Sequence, residues 1–361
     1  MEKKKVLVGM SGGIDSSAVC MMLQEQGYDL IGVTMRMWDA PSKFAIYGQE
    51  QPDYVIEAKE LADKLGFPHH VLDVRGEFKD VVVKDFIDEY MKGRTPNPCV
   101  MCNIFFKWKY LQALADELCC DYIATGHYAQ IVDKEGIYYI EQGIDSTKDQ
   151  SYFLWRLGQK ELKRTLFPLG GMTKKEVRDY VFSRGFVEKS QKSESMEICF
   201  VETDYREFLK EQLPEIDQLV GQGNFVNKQG KKLGLHKGFP YYTVGQRKGL
   251  NIALGYPAFV LKINPVKNTI ILGEKDDLIA HNLIIEHCNI PSYKDLESQH
   301  LMIRIRYRSQ LIPCRVEKIE DDRIFICFDH DLATGITPGQ SAVMYIENRV
   351  VGGGLISHKR K

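Results

Sequence analysis

Val6-Leu-Val-Gly-Met-Ser-Gly-Gly-Ile-Asp-Ser-Ser17 is the stretch on which the reading of the fold turns. Three apolar residues end in a glycine, a Gly-Gly pair follows, and serines stand where a helical pattern begins. Glycine accepts positive φ and lets backbone N–H groups come close to an anion. A helix N-terminus adds partial positive charge, and Ser11, Ser16 and Ser17 add hydroxyls. Gly9, Met10, Ser11, Gly12, Gly13, Ile14, Asp15 and Ser16 are therefore candidate phosphate-binding residues. The lysine of Gly-x4-Gly-Lys-Ser/Thr is missing, so the loop is of another kind. A plain strand-to-helix turn would also need the glycines.

Outward from this loop the chain alternates. Leu30 to Val33, His70 to Val74 and Asp121 to Ala124 read as short strands; Ser16 to about Gln26, Val55 to Leu65 and roughly Trp108 to Leu118 read as helices. That rhythm implies an α/β domain, a parallel sheet with helices on both faces, whose ligands gather at the carboxyl ends of the strands. Beyond about residue 205 the character changes. Gly- and Lys-rich β-prone pieces occupy 221–275, and closely spaced strands (Leu301 to Tyr307, Cys314 to Ile319, Ile324 to Phe328, Ala342 to Ile346) suggest an antiparallel β-barrel over 279–361. Three domains are expected, at 1–204, 205–278 and 279–361.

A chain of 361 residues is long enough for several cores. Its composition (44% hydrophobic, 27% charged) is that of a soluble protein, and no apolar run nears the roughly 18 residues needed to span a bilayer. No signal-peptide pattern is read at the start, so a cytoplasmic protein with no membrane partner is expected. Net charge is -1, so any nucleic-acid surface must come from local clusters. Arg304, Arg306 and Arg308 alternate along a strand pattern and are expected to share one face, which could meet RNA phosphates or simply be solvated.

Nine cysteines are too scattered for a disulfide scaffold. Gly93 to Asn103 has the composition of a loop, so Cys99 and Cys102 are expected to be partly exposed. Cys199 sits in Ser195-Met-Glu-Ile-Cys-Phe200, again turn-like. Cys20, Cys119, Cys120, Cys288, Cys314 and Cys327 fall in helix or strand patterns and read as small core residues. A zinc site would need a second Cys/His pair at ligand spacing, which is lacking, so no metal ligands are assigned.

The Ser-Gly-Gly-x-Asp-Ser pattern resembles the pyrophosphatase-loop family, which activates a carbonyl by adenylation. Gly32-Val-Thr-Met35 and Ala124-Thr-Gly-His-Tyr128 resemble the same family's nucleotide pocket, which implies ATP contacts for Met35 and Gly126. Over essentially its whole length the chain resembles the bacterial-type tRNA 2-thiouridylase family. The matching pieces are Gly9 to Ser16, Gly93 to Asn103, Thr125 to Tyr128, Lys148 to Leu154, Ile198-Cys-Phe200, Tyr242 to Gly249 and Arg304 to Arg308.

The resemblance implies that Cys199 carries a persulfide and Cys102 is its nucleophilic partner. It further implies that Asn97, Pro98 and Cys99 meet the target base, and that Lys148, Asp149, Gln150, Arg306 and Tyr307 touch tRNA. ATP with Mg²⁺ would adenylate the C2 oxygen of a wobble uridine, which turns a ring-carbonyl oxygen into a leaving group, in tRNAs accepting Lys, Glu or Gln. A cysteine desulfurase or relay protein would supply sulfur, and a monomer is expected. Some family members have Asp where this chain has Cys99. Cys99, Cys102 and Cys199 could instead hold a [4Fe–4S] cluster. Readings outside the family are a pyrophosphatase-loop amide ligase acting on a small molecule and a non-catalytic RNA-binding module.

Overall fold

The structure is a computed structural model that describes residues 3–40, 50–186, 198–328 and 333–357. The chain divides into two compact units. The first comprises Met1–Val82, Cys99–Glu202 and Asn348–Val350; the second comprises Val83–Pro98, Thr203–Glu347 and Val351–Lys361.

In the first unit, β1 (Lys5–Gly9), β2 (Asp29–Arg36), β3 (His69–Asp73), β4 (Tyr122–Ala124) and β7 (Thr165–Leu166) form a parallel sheet in the order β3-β2-β1-β4-β7. Val6, Leu7 and Val8 are completely buried, as a strand covered on both faces requires. Alternation sends Val6 and Val8 to one side, into a core with Ala18, Val19 and Leu23 of α1 (Ile14–Glu25) and Ala58, Leu61 and Ala62 of α2 (Asp53–Leu65). Leu7 goes to the other side, with Ile31, Val33, Leu111, Leu114 and Ala115. The strand order reverses at β1, with β2 on one side and β4 on the other. Such a switch point opens a crevice at the carboxyl ends.

The thiol-bearing segment is not the loop its composition predicts. α3 (Arg75–Phe78) leads through a π-helical stretch, Lys79–Val83, into α4 (Lys84–Met91). Then α5 (Pro98–Cys102), a π-helical stretch (Asn103–Trp108) and α6 (Lys109–Glu117) follow without a break as one helical rod. Proline is tolerated, and favoured, at the first helical position, where its missing N–H costs nothing. Pro98 therefore opens the rod.

A hairpin that the sequence reading missed, β5 (Ala129–Lys134) and β6 (Ile137–Gln142), turns at Glu135 and Gly136, both with positive φ. Two such residues match the twist of the strands they join. α7 (Gln159–Lys163) and α8 (Lys174–Ser183) complete the unit's helices among the described residues; Thr173 caps α8 by accepting from Glu176 N.

In the second unit, α4 packs on α9 (Tyr205–Gln212): Phe86 meets Phe208 at 5.9 Å and Tyr90 stacks on Tyr205 at 4.5 Å. α10 (Ile216–Val220) leads to β8 (Gly223–Val226), β9 (Lys232–His236), β10 (Phe259–Asn264) and β11 (Thr269–Gly273), ordered β10-β11-β8-β9. After the short strand β12 (Ile279–Ala280), which pairs with β17 (Ala333–Thr334), come β13 (Asn282–Asn289), β14 (Met302–Arg304), β15 (Ile312–Glu320), β16 (Arg323–Phe328), β18 (Ser341–Ile346) and β19 (Arg349–Ile356). Their order is β13-β16-β15-β14-β18-β19, and β13 pairs back to β19 through Ile285 and Ile356, closing an antiparallel ring. Leu283, Ile285, Ile303, Ile326 and Met344 fill it.

The strand expected over Leu301 to Tyr307 stops at Arg304. The chain bends from Ile305, so Arg304, Arg306 and Arg308 do not form one row. Cys119, expected in a core, is exposed with φ at 53°, in the turn that ends α6.

Candidate active site

The loop after β1 is held by its own hydroxyls. Ser16 Oγ accepts from Ser11 N at 3.2 Å and donates to Gly13 O at 3.1 Å; Ser17 Oγ donates to Gly13 O at 2.9 Å. Gly12 has φ +70°, and a Cβ there would lie 2.5 Å from the Tyr54 carbonyl oxygen. Gly126, just beyond β4, leaves room for the start of α1: a Cβ would lie 3.0 Å from Asp15 Cβ and 3.2 Å from Ser16 N. Met10 and Ile14 send their side chains into the core, which leaves their backbone to line the loop. Met35 is half-buried on β2. The expected nucleotide residues thus gather at the carboxyl ends of the adjacent strands β2, β1 and β4.

Two partners of Asp15 were not singled out from sequence. Its Oδ1 accepts from Lys174 Nζ at 2.7 Å and from Tyr128 OH at 2.7 Å. Lys174 is the first residue of α8, and it is almost fully buried. A buried lysine is uncommon unless paired, but no local sequence signal ties it to a loop some 160 residues away.

The three cysteines also come together. Cys99 and Cys199 are exposed and Cys102 is buried, which corrects the expectation of partial exposure for Cys102. Cys99 keeps solvent access although protein closely surrounds its sulfur, and that enclosure pushes its thiol up to about 11; burial pushes the Cys102 thiol to about 12. Lys107 works against that shift at both sulfurs, whereas the Cys199 charge adds to it. Each therefore senses Cys199, and Cys102 also senses Cys99. Lys107, which sequence reasoning passed over, stands on the same rod as Cys99 and Cys102. It also acts on His127, whose ring is held neutral, at about 3, first by burial and then by this cation. His127 Nδ1 shares a 2.8 Å hydrogen bond with Thr125 Oγ1, and the ring lies 5.6 Å from Trp108. Residues 195–197 of the Cys199 segment lie outside the described residues.

Family models match the chain end to end: a "tRNA methyl transferase HUP domain" over residues 4–203, a "tRNA methyl transferase PRC-barrel domain" over 206–274 and an "Aminomethyltransferase beta-barrel domain" over 280–356. The tRNA-specific 2-thiouridylase MnmA 3 of Phocaeicola vulgatus is 56% identical over 358 residues, covering 99% of this chain and 95% of that protein. The chain belongs to the tRNA-specific 2-thiouridylase family. Its likeness extends to the tRNA-specific 2-thiouridylase MnmA of Amoebophilus asiaticus, 46% identical over 99% of this chain and 96% of the relative. The corresponding protein of Cytophaga hutchinsonii is 43% identical over 100% and 99%.

Several residues that resemblance to the thiouridylase family assigned to tRNA have structural tasks here. Asp149 is buried, and its carboxylate accepts from Gln142 Nε2, Gly143 N, Ser151 N and Ser151 Oγ at 2.9–3.2 Å. Its side chain faces inward and holds the turn from Gly143 to Ser151. Gln150 Oε1 accepts from Tyr128 N at 3.0 Å, and Gln150 N donates to Tyr128 O at 2.9 Å, so the 148–150 segment braces the loop that carries Gly126. Lys148 is half-buried in the same segment.

In the second unit, Asn97 is buried and its Nδ2 donates to Ser341 Oγ at 3.3 Å; Pro98 is buried too. Arg306 Nη2 donates to Val244 O at 3.1 Å, Gly335 O at 2.7 Å and Thr337 Oγ1 at 2.6 Å. That guanidinium ties three segments of its own unit together. Tyr307 is half-buried beside it, with the Arg308 guanidinium 5.9 Å from its ring.

Among the described residues no three His, Cys, Asp or Glu side chains converge as metal ligands. No helix of the described residues is long and apolar enough to cross a membrane.

Proposed function

We propose that this chain is an ATP-dependent tRNA 2-thiouridylase acting on the wobble uridine. One observation carries the reading: a phosphate-type loop at the sheet's switch point shares a compact unit with three cysteines whose thiols sense one another. Methyl transfer, which the wording of two of the family models suggests, would leave those thiols without a task.

ATP, entering as its Mg²⁺ complex, binds at Gly9 to Ser16, with Met35 and Gly126 beside it. The uridine C2 oxygen attacks the α-phosphorus and pyrophosphate leaves. The oxygen is now part of a good leaving group. The terminal sulfur of a Cys199 persulfide attacks C2, and AMP departs with that oxygen. Cys102 then attacks Cys199 Sγ; the sulfur–sulfur bond to the nucleoside breaks, 2-thiouridine is released and a Cys102–Cys199 disulfide remains for an external thiol to reduce. Lys107 favours the thiolate at both rod cysteines. A cysteine desulfurase or relay protein reloads Cys199. The working form is a cytoplasmic monomer serving tRNAs that accept Lys, Glu or Gln, with 1–204 catalytic, 205–278 contacting tRNA and 279–361 as the terminal barrel.

The test is reconstitution with ATP, Mg²⁺, tRNA and a sulfur donor, both in air and without oxygen. Formation of 2-thiouridine, AMP and pyrophosphate is expected. Absence of thiolated nucleoside in both conditions overturns the reading. ATP–pyrophosphate exchange driven by a small carboxylate in place of tRNA would favour the amide-ligase reading. Activity that depends on bound iron and on Cys99→Ser as strictly as on Cys199→Ser would favour the cluster reading.

A further inference from the structure

Cys199 stands at the corner of a tight turn. Val201 N donates to Ile198 O at 2.9 Å, which places Cys199 and Phe200 at the two central positions. The two side chains go opposite ways: Cys199 is exposed, while Phe200 is 2% exposed. The Phe200 ring lies 5.6 Å from that of Phe78 at 74°, and 6.2 Å from that of Trp38 at 60°. Phe78 in turn meets Phe106 edge to face at 5.3 Å and 81°, and Phe106 lies 4.9 Å from Tyr110. Edge-to-face pairs at such distances are attractive and directional.

Phe106 stands on the rod that bears both other cysteines, four residues beyond Cys102, a separation of about one turn. Both side chains are buried, so Phe106 and Cys102 share the inward face. The row of rings therefore runs from the turn of Cys199 to the face of the rod that carries Cys102. Trp38 follows β2, and Phe78 ends α3, so the socket is built from two further elements of the same unit.

We propose that Phe200 is a positioning residue for sulfur transfer: a peg seated between Trp38 and Phe78 that fixes where the Cys199 sulfur stands relative to the rod cysteines. A two-residue corner has no register of its own against a helix. Sulfur exchange needs the attacking atom within about 3–3.5 Å of its target and in line with the bond that breaks. The buried ring supplies that register, and the exposed thiol beside it stays open to an incoming sulfur donor. The inference deepens the proposed reaction and rests on Cys199 as the sulfur carrier.

The test uses the full chain with Phe200→Leu, which keeps an apolar side chain but loses the ring, and Phe200→Tyr, which keeps the ring. The first readout needs neither ATP nor tRNA: the rate at which diamide links Cys199 to a rod cysteine, followed by peptide mass spectrometry. Phe200→Leu is expected to slow this linkage and to lower kcat about 100-fold, as a shift of about 1 Å does elsewhere, with KM for ATP and tRNA unchanged. Phe200→Tyr restores both rates. Phe78→Leu, which widens the socket from the other side, shifts both readouts in the same direction and serves if Phe200→Leu does not fold. An unchanged linkage rate in Phe200→Leu, or in Phe78→Leu, overturns the peg. A Cys199→Ser chain that still thiolates tRNA overturns the carrier reading instead, while the linkage rate continues to report on the peg alone.

Discussion

Gly12→Ala is the substitution that most directly tests how the loop is held. The native φ of +70° costs an L side chain about 1–2 kcal/mol. The new methyl would also stand 2.5 Å from the carbonyl oxygen, 2.8 Å from the Cα and 3.0 Å from the carbonyl carbon of Tyr54. These are backbone atoms in the first turn of α2, so no rotamer change relieves them. Ordinary contact needs almost 1 Å more, and forced overpacking adds about 1–3 kcal/mol.

Gly27 provides the control. It has φ +86°, yet a Cβ there meets nothing within 4 Å. Gly27→Ala should pay the left-handed cost alone, about 1–2 kcal/mol, and bind ATP as the unmodified chain does. Gly12→Ala should lose about 2–5 kcal/mol in all. Its loop N–H groups would be displaced on the scale that costs about 100-fold in a positioned site. Urea unfolding of the two variants side by side, with ATP titrated calorimetrically into each, separates the contributions. Equal stability of the two variants together with normal ATP binding by Gly12→Ala would refute the contact between the loop and α2.

Arg306→Leu should destabilise the chain by about 1–3 kcal/mol without any RNA present, since it takes the guanidinium from the Val244 carbonyl, while Gly335 O keeps the hydrogen bond from Thr337 Oγ1; a thermal melt unchanged from the parent would restore a purely RNA-binding role. His127 keeps its ring neutral down to about 3, while the unfolded chain protonates it below 6.5. The unfolded state then binds more protons, so stability is lost as pH falls from 6.5 towards 3; His127→Gln should lose less on going from pH 7 to pH 4.5 in urea titrations, and an equal loss would contradict the assignment. Lys107→Met removes the cation that opposes burial at Cys99 and Cys102. Iodoacetamide alkylation of Cys99 should therefore slow at every pH below about 11, and a rate that does not change would remove Lys107 from the site.

The parallel sheet was legible because its strands announce themselves. Val6-Leu-Val8 is apolar throughout, as a doubly covered strand must be, and the loop after it leaves few structural options. The closing strand of the ring was not legible. β19 contains Gly352, Gly353 and Gly354, and three glycines in a row read as a loop. Two of them stand where β13 and the residue after it come close: a Cβ on Gly354 would lie 2.9 Å from Ile285 Cβ, and one on Gly352 would lie 2.4 Å from Ile290 Cδ1. Glycine in a strand marks such an approach, but the approaching partner is some 70 residues away in sequence and only the fold reveals it. The arginine row failed for a related reason. Alternation predicts a shared face only while the strand lasts, and β14 ends at Arg304.

At the site, residue type was readable and direction was not. Pro and Asn around Cys99 are turn formers by composition, but a proline can equally open a helix, and at position 98 it does. Once Pro98 is the first helical residue, Cys99 and Cys102 stand three positions apart, about 60° short of a full turn, and that offset carries the second inward. That phase separates two cysteines that looked equivalent in sequence. The exposed Cys199 and Cys99 are open to a sulfur donor or an oxidant. Cys102 is shielded, and in the proposed reaction it meets only the sulfur–sulfur bond that is brought to it. A thiol raised to about 12 is a poor scavenger of stray electrophiles at neutral pH but a strong nucleophile once its proton is taken. Burial and the opposing Lys107 charge thus act on the same sulfur in opposite senses: one holds the proton on, and the other favours the thiolate that the proposed attack requires.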